Sequence, residues 1–292
     1  MEFIPWHALL RGALRITSQR LKLFLYEHAA KASVWFGYRP YVNIFRLPFG
    51  LVLKATPNPI PNEGKALEFI QSIRGVNAPR LIDYMATSSQ SYVLMTWIDG
   101  ECCTDHMDEL KPSDRERLAH QLREQITCMR EQTRGDGHAI GNALGGIIFD
   151  PRIPWLQDDP RMLSSIREFF EQVWIGLDFP HLSPILKPLI QPLIERENVP
   201  VVFCHGDILP KNIIFPGGLD KWRAGETKIA LIDWEYAGWM PLHWEALKAT
   251  WMICDPEEEK EWYEMIKKVF PESLLDLEVD WEWRSKSGIA IV

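Results

Sequence analysis

The sequence is poor in cysteine, has no long apolar run and carries no surplus of basic charge. Its 292 residues include five cysteines, Cys102, Cys103, Cys128, Cys204 and Cys254, an odd number with no Cys-x-x-Cys pair and no histidine at metal-ligand spacing. That pattern argues against a disulfide framework or a zinc module, and leads us to expect reduced thiols in a cytoplasmic protein. The longest apolar stretches fall well short of the roughly 18 residues that suggest a membrane span, and the N-terminus has no continuous apolar signal core. With 32 Lys and Arg against 40 Asp and Glu, the formal net charge is −8, which makes a nucleic-acid backbone a poor main partner. No repeat or low-complexity tract is present. Hydrophobic residues make up 46% of the chain and charged ones 25%, enough for one large domain or two lobes with substantial cores.

What is present is concentrated in two segments, each an apolar run that leads into an acidic residue. Val201-Val-Phe-Cys204 reads as a short strand that ends at His205-Gly206-Asp207, and Asn212 follows Asp207 by five positions. Ile229-Ala-Leu-Ile232 delivers Asp233 at its end, and Ile213-Ile-Phe215 between them reads as the partner strand of a hairpin. Two carboxylates and an amide therefore converge. Phosphoryl transfer needs such a set: hard oxygen ligands for Mg2+, and an acceptor that orients the attacking hydroxyl and takes its proton. Asn212 and Asp233 fit the metal role and Asp207 the acceptor role.

On these residues the sequence resembles the aminoglycoside phosphotransferase-like small-molecule kinases. His205-Gly-Asp-Ile-Leu-Pro-Lys-Asn212 matches that family's catalytic loop and Ile232-Asp-Trp-Glu-Tyr-Ala-Gly238 its metal-binding segment. Pro241-Leu-His-Trp-Glu245 and Gly145-Gly-Ile-Ile-Phe-Asp-Pro-Arg152 extend the match toward the family's fungal branch. The resemblance runs from about residue 40 to about residue 255. It implies an α+β, bilobal protein-kinase-like fold, with a small β-rich N-terminal lobe over 1–98 and a larger, mainly helical lobe over 99–292. It also implies ATP and Mg2+ as cofactors and a small hydroxylated molecule as partner.

The N-terminal third fits that plan. Tyr41–Leu47 and Leu51–Thr56 read as a hairpin about the turn Pro48-Phe-Gly50, with Lys54 on its second arm. Pro61-Asn62 opens a helix with Glu63 in its first turn. Lys54 is the cation for the ATP phosphates and Glu63 the carboxylate that holds it; Glu68 on the same helix is the rival. Leu81–Met85 and Tyr92–Ile98 read as a second hairpin. The resemblance makes its end the interlobe hinge, so that Thr96 and Ile98 offer a main-chain carbonyl and amide to adenine and Met95 lines the pocket. Lys211 either screens the transferred phosphate or points to solvent. His205 braces the turn. Glu235 would share a strand face with Asp233, and Glu245 anchors the large lobe; neither is assigned to catalysis.

Before the hairpin, Trp6–Ala32 reads as a basic amphipathic helix through Arg11, Arg15, Arg20 and Lys22 that covers the small lobe, with a membrane-surface role as the alternative. Beyond the hinge, Ser113-Asp-Arg-Glu116 reads as a capping box for a helix to about Gln132. Asp159-Pro160 is expected to cap a helix through Trp174, Ser183-Pro184 to open a third that Pro188 and Pro192 kink, and Asp255-Pro256 a fourth that ends at Lys267-Lys268. Gly135–Asp158 reads as a long loop. In departure from the general kinase pattern, no Gly-x-Gly-x-x-Gly precedes Lys54 and no Ala-Pro-Glu follows Asp233, so the phosphate loop stays unassigned and a protein substrate is disfavoured. A catalytically silent binding protein and another nucleotide-dependent transfer remain as rival functions. Ten of the 13 tryptophans lie from Trp155 onward; most are expected in the core, and two or three lining a pocket would favour an aromatic or terpenoid-like alcohol as acceptor.

Overall fold

The alternation in Leu51-Val-Leu-Lys-Ala-Thr56 sends Leu51, Leu53 and Ala55 to one face of a strand and Val52 and Lys54 to the other, and the first half of the fold follows from that split. The structure is a computed structural model that describes residues 5–38, 42–133, 139–153, 156, 160–174, 183–251 and 256–287. Strands β1 (Ile44–Leu47), β2 (Leu51–Thr56), β3 (Leu81–Ala86) and β4 (Ser91–Thr96) form an antiparallel sheet in the order β1-β2-β4-β3. Helices α1 (Pro5–Ile16) and α2 (Gln19–Trp35) cover the Leu53 face, where Leu14 and Tyr26 pack with Leu51, Leu53, Tyr92 and Leu94. Helix α3 (Asn62–Ile70) covers the Val52 face through Ala66, Leu67 and Ile70. Gly64 lets it do so: a Cβ there would lie 2.4 Å from the Tyr84 ring, so only glycine admits this approach.

The chain crosses to the second half after Thr96. Strand β5 (Gly100–Cys102) joins β8 (Ile213–Pro216) and β9 (Ala230–Leu231) in one three-stranded sheet, and β6 (Gly141–Asn142), β10 (Gly238–Pro241) and β7 (Val201–Cys204) form another. The expected pairing of Ile213–Phe215 with the run before Asp233 is present, with Ile213 opposite Leu231. Helices α4 (Pro112–Thr133), α5 (Ile166–Trp174), α6 (Ser183–Ile194), α7 (Leu219–Arg223), α8 (Trp244–Ala249), α9 (Pro256–Val269) and α10 (Leu274–Ser287) supply the rest. Six tryptophans, Trp174, Trp222, Trp234, Trp244, Trp262 and Trp283, are fully buried among them.

Two helix starts differ from expectation. The N-cap position of α4 is Lys111, whose N–H is accepted by the carboxylate of Asp114 in the first turn at 3.1 Å, while Glu116 is drawn to Lys268 on α9. Residues 160–165 are not helical, because Ser165 and Glu168 satisfy the first turn of α5 instead. The Ser165 hydroxyl accepts the Glu168 N–H, and the Glu168 carboxylate accepts the Ser164 N–H. Asp159 and Asp255 lie outside the described residues, as do the side chains of Glu257–Glu259.

Behind the sheets sits a buried ionic layer. Arg152 pairs with Asp280 and donates to the Leu247 carbonyl at 2.5 Å, Lys248 meets Asp150 at 2.9 Å, and the Trp174 indole donates to Asp280 at 2.8 Å. These contacts fasten residues 150–152 to α8 and α10, and burial raises the Asp150 carboxyl above its ordinary value despite Lys248.

At the N-terminal cover, Asp83 on β3 accepts the Tyr26 hydroxyl at 2.5 Å and pairs with Lys22 at 2.7 Å. Replacing Tyr26 by Phe leaves a buried carboxylate oxygen without its donor. We expect Tyr26→Phe to destabilise the protein by about 1–2 kcal/mol, read as a lower urea midpoint at constant slope. An unchanged midpoint would show that water replaces the phenol at no cost.

Candidate active site

Lys54 is the point at which three parts of the chain meet. Its ammonium lies 3.1 Å from Glu63 on α3, 3.1 Å from Glu235, and in direct contact with Asp233. Glu63, not Glu68, is the helix partner; Glu68 instead pairs with Lys65 at 2.9 Å. Burial works against the Lys54 charge, yet the three carboxylates raise its pKa well above the ordinary value. Burial likewise pushes the Glu63 carboxyl up to about 7, against the pull of Lys54 and with the neighbouring Asp233 and Glu235 charges. Glu63 also accepts the Trp234 N–H at 3.3 Å, so α3 holds both the lysine and the segment that carries Asp233.

Asp233 itself is in the left-handed region, with φ 65°, a conformation that Asp and Asn tolerate better than most side chains. The strand ends at Leu231, so Asp233 and Glu235 share a turn and not a strand face. Both still reach Lys54. Asn62 fixes that turn: its amide donates to the carbonyls of Glu235 and Ala237 at 2.8 Å each, and its oxygen accepts the Ala143 N–H at 2.9 Å.

The second element is the turn after β7. Glu245, buried on α8, accepts the N–H groups of His205 at 2.6 Å and Gly206 at 2.9 Å. The Asp207 N–H donates to His205 Nδ1 at 3.2 Å, which places the imidazole proton on Nε2, where it meets the Ile232 carbonyl at 3.0 Å. His205 therefore ties the two acidic segments together as a neutral brace. Gly206 adopts φ 82°, and a Cβ there would sit 2.3 Å from the Tyr236 carbonyl. At the end of this turn Asp207 is almost fully buried, and its Oδ2 lies 2.7 Å from Asn212 Nδ2 and 3.2 Å from Lys211 Nζ. Asn212 Nδ2 also donates to the Asp207 carbonyl at 2.8 Å, which turns Asn212 Oδ1 away as a hard oxygen donor. Lys211 is half-exposed, and its ammonium reaches Asp207.

Met95, Thr96 and Ile98 are buried at the end of β4, where Met95 faces Val52 and Thr96 faces Leu51 across the ladder. Along the same ladder, Lys54 faces Val93 and Thr56 faces Ser91. The chain end of β4, Lys54 and the far end of the sheet thus lie in order along the central β2–β4 pair, with about 10 Å of strand between Leu51 and Lys54. At the far end a cavity of about 130 Å³ opens between the halves, lined by Thr56, Ser91, Ile60, Phe149, Tyr236 and Met240 among others. No described tryptophan lines it. The aromatic faces there are Phe149 and Tyr236; most described indoles are in the core, as expected, so the condition of two or three tryptophans at the pocket is not met among the described residues, and Trp155 lies outside them. The turn Pro48–Gly50 stands at the opposite end, where the Trp97 N–H donates to the Gly50 carbonyl. It cannot reach over Lys54. The residues that lead into Ile44, which pairs with Lys54, are the ones that approach it.

Residues 44–270 match the family model described as the phosphotransferase enzyme family. The chain belongs to that family. Among solved structures, an aminoglycoside-3'-phosphotransferase of type VIII is 14% identical, with 88% of this chain and 98% of that chain covered at a TM-score of 0.50. A putative fructosamine-3-kinase from Haemophilus somnus 129PT is 13% identical, with 90% of each chain covered and a TM-score of 0.50. At such identities these likenesses speak for the bilobal fold and for nothing finer. No curated protein matches the chain.

Within this phosphotransferase-family fold, sequence reasoning left three residues without their full part. Glu235 and Asn62 belong to the Lys54 cluster, and Glu245 grips the His205-Gly206 backbone. A signal existed only for Glu245, since two consecutive buried N–H groups at His205-Gly206 require an acceptor. Among the described residues no group of three or more His, Cys, Asp or Glu side chains is arranged as a metal site; the carboxylates at hand are engaged by Lys54, and Asn212 adds an amide oxygen. We expect Glu245→Ala to cost about 3 kcal/mol or more, since it strands two buried N–H groups, and Glu245→Gln, which keeps one acceptor, to cost roughly half as much. Chemical denaturation of the two variants checks the order, and a Glu245→Ala protein as stable as the parent refutes the assignment.

Proposed function

We propose that this protein is a Mg2+- and ATP-dependent phosphotransferase that moves the γ-phosphate of ATP to a hydroxyl of a small molecule. The observation that carries the reading is the joint placement of Asp207, Asn212, Asp233 and Lys54, which brings a proton acceptor, hard oxygen donors and a cation together between the two halves. On this reading the lobes divide at Ile98/Asp99. The donor set fits Mg2+: Asn212 Oδ1 and the Asp233 carboxylate would hold it, with phosphate oxygens and water completing the shell. Bound there, the ion would offset phosphate charge.

Lys54 would share its ammonium with phosphate oxygens, and Glu63 would keep it in place. Asp207 would accept the proton of the acceptor hydroxyl as its oxygen bonds to the γ-phosphorus and the bond to the ADP oxygen breaks. Lys211, 3.2 Å from Asp207, stands where negative charge gathers. Adenine would lie against Met95, Thr96 and Ile98, so a nucleotide running past Lys54 points its last phosphate toward the cavity at the far end. That cavity, with Ile60, Phe149, Tyr236 and Met240 beside Asn58, Asn142, Glu63 and Glu235, would offer a hydroxylated acceptor apolar faces, amides and carboxylates together.

Asp233→Asn keeps a residue that tolerates the left-handed backbone but loses an anionic ligand. We expect an unchanged melting temperature and loss of Mg2+-dependent ATP binding by calorimetry; Mg·ATP binding at parental affinity refutes the metal role. Asp207→Asn should leave ATP affinity within a factor of about two while turnover falls at least about 100-fold. The acceptor for that assay comes from a metabolite panel incubated with Mg·ATP and scanned by mass spectrometry for the gain of one phosphate. A nucleotidyl gain supports a different transfer. No product together with no ATP binding supports a silent fold.

A further inference from the structure

The two N-terminal helices are apolar on two sides. One side of α1 and α2 packs on the sheet through Leu14, Leu23 and Tyr26. The other faces outward, with Leu9 76%, Ile16 90%, Phe24 53%, Leu25 42%, Trp35 82% and Phe36 52% exposed. Phe24 and Leu25 lie ten or eleven positions before Trp35, three turns of the same helix, so they form a stripe. Trp35 and Phe36 make an edge-to-face pair at 5.2 Å that no other element covers among the described residues.

The charges on this side are mostly positive, with Glu27 the one exposed carboxylate among them. Residues 5–38 carry five basic side chains against one acidic, Glu27, in a chain whose net charge is −8. Lys22 is used inward by Asp83 and Arg11 donates to Gln71, which leaves Arg15, Arg20 and Lys31 exposed. Arg20 precedes Phe24 by four residues and Lys31 precedes Trp35 by four, so cation and ring share a face. Long cationic side chains beside aromatic and aliphatic ones suit the headgroup level of an anionic bilayer, where the rings enter the boundary and the charges reach lipid phosphates. A second copy fits less well, since packing the stripe on itself sets Arg20 and Lys31 against like charges. No described helix is long and apolar enough to cross a membrane, so the contact is a surface one.

We propose that the outer face of α1 and α2 docks on an anionic lipid surface. Lys54 is on the opposite face of the sheet, so docking leaves the cleft open, and the proposal stands whether or not the chain transfers phosphate.

The test is flotation of the full chain with vesicles of phosphatidylcholine alone and of phosphatidylcholine with phosphatidylserine. The expected result is recovery with the mixed vesicles more than about tenfold above the neutral ones, declining as salt is added. Two variants are compared at matched melting temperature: Arg15→Glu with Arg20→Glu and Lys31→Glu, and Phe24→Ser with Trp35→Ser. Each is expected to lose at least about tenfold in recovery. Recovery that is absent, equal on the two vesicle types, or retained by both variants overturns the proposal. So does sedimentation that shows a parental dimer which Trp35→Ser converts to monomer.

Discussion

Everything about the site depends on one ammonium group shared by three carboxylates. Lys54 is the only cation that contacts Glu63, Asp233 and Glu235 among the described residues, so one positive charge faces as many as three negative ones. A buried ion cluster of that kind is poor evidence for stability, because desolvation offsets most of the Coulomb gain. It is better evidence for function. The cluster ties β2, α3 and the turn after β9 together while it leaves negative charge uncompensated, an arrangement that favours any ligand bringing further cationic charge. In the proposed reading Mg2+ is that charge and the nucleotide phosphates are what it carries.

The surroundings of the cluster are rigid for reasons that can be named. Glu245 fills the backbone donors of the catalytic turn, His205 bridges from that turn to Ile232, and Asn62 closes the turn of Asp233. Each is a buried polar group with its partners in place, the condition under which polar networks specify one geometry. Behind them, the Asp150–Lys248 and Arg152–Asp280 pairs lock residues 150–152 to the helical floor. The motif Gly145–Arg152 thus has a structural explanation independent of any ligand: it sets one wall of the cavity beside Phe149 by fastening the residues that follow it.

Legibility in the sequence tracked how local the determining interaction was. The strand before Asp207, the hairpin of Lys54 and the choice of Glu63 over Glu68 were readable because each rests on a short apolar run, on period-2 alternation or on position within one helical turn. The start of α5 was not, since Ser165 with Glu168 outcompeted Asp159-Pro160, and both patterns satisfy the same rule. The length of the strand before Asp233 was overestimated: with φ 65° at Asp233 the chain has already turned, and no composition signal marks a left-handed aspartate. Glu235 and Asn62 were hidden for a further reason. Their partners lie 181 and at least 81 positions away, and a contact of that span leaves no trace in local periodicity.

The tryptophans show how composition can mislead about a site even when it is right about a core. Their concentration in the second half reflects the volume that helices α4 to α10 must fill, and six of them vanish completely into it. The cavity at the end of β2 is bordered, among the described residues, by one phenylalanine, one tyrosine, the carboxylates Glu63 and Glu235, and several aliphatic, hydroxyl and amide side chains. Its position is what gives it meaning. A pocket of the same chemistry at the Leu51 end would lie beside Met95 and Thr96 and compete with adenine, whereas at the Thr56 end it lies past Lys54, where a nucleotide in the proposed orientation presents its terminal phosphate. The direction of β2, set by a hairpin turn at Pro48–Gly50, therefore decides which end of the cleft can receive an acceptor.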